Sequence, residues 1–164
     1  MQVRRVVTGH DDNGRAIVTI DEICKNRVSR RAQHESYVVW STGEFPSDNA
    51  TADDGAARDV SGIDPSGTVF RIIEYGPGVA PRNHRTESLD YAVVMSGEID
   101  MDMDGVEVHL RAGDVLVQRG TVHNWINRGK EPCVIAFVLV GKYMEEAIKT
   151  AIHIAGSTTL KSRN

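Results

Sequence analysis

Apolar and polar residues alternate with a period of two along much of the chain. The alternation is clearest where Ile99, Met101 and Met103 fall on one side and Asp100, Asp102 and Asp104 on the other. Past Gly105, Val106, Val108 and Leu110 alternate with Glu107, His109 and Arg111. Successive side chains of a strand point to opposite faces, so this pattern predicts two half-buried strands. Asp104-Gly105 stands at their reversal, a pair that accepts positive φ and marks a hairpin turn. The runs "TVFRIIEYG", "LDYAVVMSG", "DVLVQ", "HNWIN" and "CVIAFVLVG" predict further strands. Short strands at roughly 8–12-residue spacing with turn signals between them indicate an antiparallel sandwich or barrel.

The two ends differ from this middle. Residues 1–67 read as irregular, with two short β-branched or aromatic runs, "AIVTI" and "YVVWS". Between those runs "DEICKNRVSRRAQHE" has room for a short helix. Residues 45–67 are rich in Asp, Ala, Gly, Ser and Pro with no apolar period, which predicts a solvated loop or a lid. Within residues 141–164, Met144, Ile148 and Ile152 recur every four positions, with Ala147 and Ala151 beside them and Gly156 beyond. That spacing predicts one amphipathic helix with a glycine cap, followed by a tail.

Composition narrows the partners. A chain of 164 residues suits one domain and can bury a core without staples. The net charge is −4 with both signs interspersed, so no basic stripe is available to neutralise phosphates and nucleic acid is not an expected partner. No apolar run is long enough to span a membrane, and "MQVRRVVTGHDD" lacks the apolar stretch of a signal peptide; a cytoplasmic protein is expected. Cys24 and Cys133 are far apart and read as two free thiols.

Candidate chemistry gathers in "PRNHRTESLDYAVVMSGEID" and "QRGTVHNWIN". His84 and Thr86 are two apart and share a strand face; Asp90 opens the next strand and His123 arrives from another. Inside a closed barrel such residues converge. Two imidazoles and one carboxylate then make a three-ligand face for Fe, Zn, Mn or Ni, with positions open for water, substrate or O₂. Free of metal, His84, Asp90 and His123 can instead serve as acid and base. A third reading makes the barrel a small-molecule sensor or carrier, with Thr86 marking a decayed centre. Thr86 is at best a weak ligand and suits hydrogen bonding better. Tyr91 and Trp125 are candidate cavity walls, and Gln118 is a candidate hydrogen-bond partner for a ligand. Arg71 can clamp a carboxylate bidentately if it faces inward. His10, His34, His109 and His153 lie outside these stretches and are expected at the surface; Met101 and Met103 are expected in the core.

With those motifs in place, residues 68–140 resemble the cupin superfamily. Gly78 is followed by five residues and then His84, with Thr86 at the second-His position, Asp90 at the Glu position and Gly97 closing the motif. Gly113 opens a second motif, in which Gly120, His123 and Asn127 are in register and Gln118 replaces the usual proline. The resemblance implies an all-β double-stranded β-helix, RmlC-like, with the C-terminal helix appended. It also implies a divalent metal at His84, Asp90 and His123, a small oxygenated substrate, and a homodimer joined through sheet edges and exchanged N-terminal strands. Dioxygenases, decarboxylases, dehydratases and isomerases all occur on this fold, so the reaction stays open at this stage.

Overall fold

The computed structural model describes residues 1–60 and 66–141. The helix expected within residues 141–164 falls almost entirely outside them. Every regular element among the described residues is a strand: β1 Arg4–His10, β2 Ala16–Ile23, β3 Arg27–Val28, β4 His34–Thr42, β5 Thr68–Tyr75, β6 Ser88–Ser96, β7 Glu98–Met103, β8 Val106–Arg111, β9 Val115–Arg119, β10 Asn124–Ile126 and β11 Cys133–Gly141. No helix among the described residues is long and apolar enough to cross a membrane.

The strands form an antiparallel six-stranded sheet in the order β3-β4-β5-β11-β6-β9, a three-stranded sheet β10-β7-β8, and a separate hairpin β1-β2. The two larger sheets enclose one core. From the six-stranded sheet come Val69, Ile73 and Tyr75 of β5, Ala92 and Val94 of β6, and Cys133, Ile135, Phe137 and Leu139 of β11. The three-stranded sheet supplies Ile99, Met101, Leu110 and Trp125. Burying each large apolar side chain contributes roughly 1.5–3 kcal/mol, so this shared face is what closes the barrel.

The hairpin forms as its sequence predicts. Asp104 has φ 38° and Gly105 φ 87°, and β7 pairs with β8 from Glu98↔Arg111 to Met103↔Val106. Gly97 turns the chain from β6 into β7 at φ 76°, and a Cβ there would lie 2.5 Å from the Pro132 carbonyl oxygen. Only glycine fits both the dihedral and the close approach.

The N-terminal third is more regular than its sequence suggests. The short helix expected before β4 does not form. Arg27↔Tyr37 and Val28↔Ser36 pair as strand, and the Cys24 amide donates to the Val3 carbonyl at 2.7 Å. Hairpin pairing with β4, eight to ten residues on, overrides the helical preference here. β4 then joins β5 along its length, so the segment is built into the main sheet. The loop that follows is mostly exposed over its described part, as its composition predicts, but is tethered near Asp54–Ala56. Arg5, 6% exposed, grips the Asp54 carboxylate with two hydrogen bonds of 2.7 and 2.6 Å, and the Ser41 hydroxyl donates to the Gly55 carbonyl at 2.6 Å.

Candidate functional site

The inner face of β6 carries an unusual row. Ser88, Asp90, Ala92 and Val94 point inward, and Tyr91, Val93 and Met95 outward. Asp90 sits across from Leu139 on one side and Gln118 on the other. On β5, Arg71 shares the inward face with Val69, Ile73 and Tyr75, and pairs with Val38 and Phe137. The two charged residues therefore look into the same space from one sheet. That space is a cavity of about 460 Å³, with a floor that includes Ile73, Tyr75, Trp125, Phe137 and Leu139.

His84 and His123 meet at its wall. They form an antiparallel bridge outside the named strands: the His84 amide donates to the His123 carbonyl at 3.1 Å, and the His123 amide to the His84 carbonyl at 2.9 Å. Their ring centroids are 4.4 Å apart. His84 Nδ1 lies 3.0 Å from the Arg82 carbonyl, and His123 Nδ1 lies 3.1 Å from the Thr121 carbonyl. A carbonyl can only accept, so each Nδ1 carries the proton and each Nε2 keeps its lone pair. The Gln118 amide caps the same edge of His123, 2.6 Å from Nδ1; a half-turn of the amide presents its oxygen to that proton. Trp125, 2% exposed, stands edge-on to Phe137 and with its ring centroid 6.0 Å from that of His123.

Electrostatics keeps both rings neutral. Burial lowers the pKa of each from the ordinary histidine value. The backbone carbonyl bond and the Asp90 charge pull the other way on both, but burial is the larger effect on each. Asp90 itself is buried and takes two hydroxyl hydrogen bonds, from Ser88 Oγ to one oxygen and from Thr86 Oγ1 at 3.1 Å to the other.

The expected ligand set is thus brought together only in part. His84 and His123 are adjacent and Asp90 faces the same cavity. Among the described residues, however, no three His, Cys, Asp or Glu side chains are grouped to hold a metal ion. Thr86 serves as a hydroxyl partner of Asp90. Five arginines line the cavity against two carboxylates, Glu87 and Asp90, and that surplus of positive charge repels a cation.

Other expectations divide similarly. Trp125 and Arg71 line the cavity, whereas Gln118 is buried behind it, against His123. Tyr91 does not line it: alternation along β6 places it opposite Asp90, and it is 47% exposed. His34, expected at the surface, lines the cavity instead, because β4 belongs to the main sheet. Burial, seconded by Arg31, lowers its pKa to about 4. His109 stays outside, paired with Asp100 at 2.6 Å. Cys24 and Cys133 are free buried thiols, and Met101 packs in the core. Sequence reasoning passed over Arg30, Arg31, Arg82 and Arg85. For Arg82 and Arg85 the available signal was their place on either side of His84.

The two sheets closing on one core, with a histidine-lined cavity between them, define a jelly-roll β-barrel. A family model for the cupin domain matches residues 71–140. Over 165 aligned residues the chain is 37% identical to the cupin-domain-containing oxidoreductase fogC of Aspergillus ruber, covering 91% of this chain and 81% of that one. It is 54% identical over 65 residues to phomopsin biosynthesis cluster protein C' of Diaporthe leptostromiformis, across 39% of this chain and 34% of that protein. The crystal structure of AerE from Microcystis aeruginosa superposes with a TM-score of 0.50 at 19% identity, over 71% of this chain and 46% of that one, a likeness of fold. The chain belongs to the cupin superfamily.

Proposed function

We propose that this cupin is an enzyme of small-molecule metabolism whose cavity takes an oxygenated organic substrate, with His84 and His123 moving protons on it. One observation carries the reading: two neutral imidazoles 4.4 Å apart at a cavity wall, each with its Nδ1 proton held by a backbone carbonyl. That arrangement leaves two Nε2 lone pairs as bases at neutral pH. Once one ring takes a proton, its neighbour and the Asp90 carboxylate remain to pass it on or stabilise it. Of the reaction types compatible with the fold, isomerisation and dehydration need only such proton transfer. A relative named as a cupin-domain-containing oxidoreductase, and another named for a biosynthesis cluster, support a place within an oxidative biosynthetic sequence.

The test is exchange of carbon-bound protons in D₂O, followed by NMR over a panel of enolisable oxo compounds, charged and uncharged. Wild type should catalyse exchange on at least one member. His84→Gln and His123→Gln should each lose it by about 10²-fold or more. Absence of exchange across the panel sinks the reading. So does stoichiometric metal in protein purified without chelators, if it disappears in His84→Ala.

A further inference from the structure

The cavity holds a charge that the protein leaves unanswered. Among the described residues, Arg71 Nε and Nη2 are buried and have no hydrogen-bond partner. A desolvated guanidinium with two idle donors is costly, because its N–H groups have exchanged water for nothing. The neighbours do not resolve this. Arg31 donates to the Ala80 carbonyl at 2.8 Å and lies over the Tyr75 ring at 6.0 Å, and so is engaged. Asp90 is near enough to influence Arg71 electrostatically, but its hydrogen bonds are to Ser88 and Thr86 and none reaches Arg71 Nε or Nη2. His34 Nδ1, also in the cavity wall, is a second buried polar atom without a partner. The chain as a whole carries a net charge of −4, yet Arg30, Arg31, Arg71, Arg82 and Arg85 all border this one space.

We propose that the cavity is built for an organic carboxylate, with the carboxylate group seated on Arg71 Nε–H and Nη2–H and an apolar or aromatic body lying on the Ile73, Trp125 and Phe137 floor. The geometry selects the class. Nε–H and the adjacent Nη2–H point the same way along one edge of the guanidinium, a fork that matches the two oxygens of a carboxylate. A phosphate presents a further oxygen, for which Arg71 has no third idle buried donor. The remaining arginines supply a field that draws the anion in without each needing to touch it. This inference rests on the reading of the cavity as the substrate site, and names the class of substrate it takes.

Benzoate, benzamide and phenylphosphonate serve as probes, titrated by calorimetry against wild type, Arg71→Gln, Arg71→Lys and His109→Asn. Wild type should bind benzoate at least about tenfold more tightly than benzamide or phenylphosphonate. Arg71→Gln should erase the preference for benzoate over benzamide, and Arg71→Lys should weaken benzoate by about tenfold through loss of the fork. His109→Asn, at a residue outside the cavity, should bind benzoate as wild type does. Equal binding of benzoate and benzamide by wild type overturns the proposal without recourse to any variant. A tenfold preference for phenylphosphonate, or unchanged benzoate selectivity in folded Arg71→Gln, overturns it too. If benzoate selectivity depends on Arg71 but no proton exchange is found, the carboxylate site stands and the catalytic reading falls.

Discussion

Single residues carry the pH response. His34 has a folded pKa of about 4 against an ordinary 6.5, so the folded state disfavours its charged form. The unfolded chain binds the extra proton first. The stability gained by keeping His34 neutral is therefore complete above pH 6.5 and drains away as pH falls from 6.5 toward 4. Burial lowers His84 and His123 in the same direction and adds to the loss. The melting temperature should fall across that interval, and His34→Gln should flatten the curve within it. An unchanged profile in the variant would mean that His34 is not the group responsible. The residue scale also shows where sequence stops. His84 and His123 were legible because motif spacing marks them. The inward turn of Arg71 was not: along β5 both Ile72 and Ile73 are buried, and β4 carries an irregularity between Val38 and Trp40, so alternation alone could not name the inner face. His34 was hidden for a related reason, since its burial depends on β4 pairing with a strand over thirty residues away.

At the scale of elements, turns decide register, and two glycines differ in what they do. Gly105 needs only positive φ, with nothing within 4 Å of a Cβ placed on it. Gly97 needs positive φ and also meets the Pro132 carbonyl at 2.5 Å. Gly105→Ala should cost about 1 kcal/mol and Gly97→Ala about 3 kcal/mol or more, because only the second must also shift backbone. Urea unfolding followed by tryptophan fluorescence measures both; equal losses would show that the close contact at Gly97 relaxes freely. Elements with a period-two pattern and a turn signal, such as β7 and β8, were read correctly from sequence because both signals are local. The stretch before β4 was misread as helix-prone because its short hairpin pairing, Arg27↔Tyr37 and Val28↔Ser36, carries no period-two pattern or turn signal.

At the scale of the whole molecule, an apolar face stands bare among the described residues. Tyr91, Val93 and Met95 of β6 and Val115 and Val117 of β9 lie side by side on the outside of the six-stranded sheet, with Val115 73% and Val117 57% exposed. β9 is also an edge of that sheet. We propose that a second copy of the chain covers this face, since adjacent apolar side chains and an open edge both favour association. Sedimentation equilibrium should give a dimer for wild type and a monomer for the Val115→Glu, Val117→Glu double variant. A monomeric wild type would refute this.

The bridge between His84 and His123 runs through peptide groups, not through the rings. Whatever side chains stand at the two positions, the amides and carbonyls that fasten them remain. The clasp is thus indifferent to the tools it holds, and the two positions can be refitted with different functional groups while their spacing persists. A barrel fastened in this way separates the question of where chemistry happens from the question of which chemistry it is.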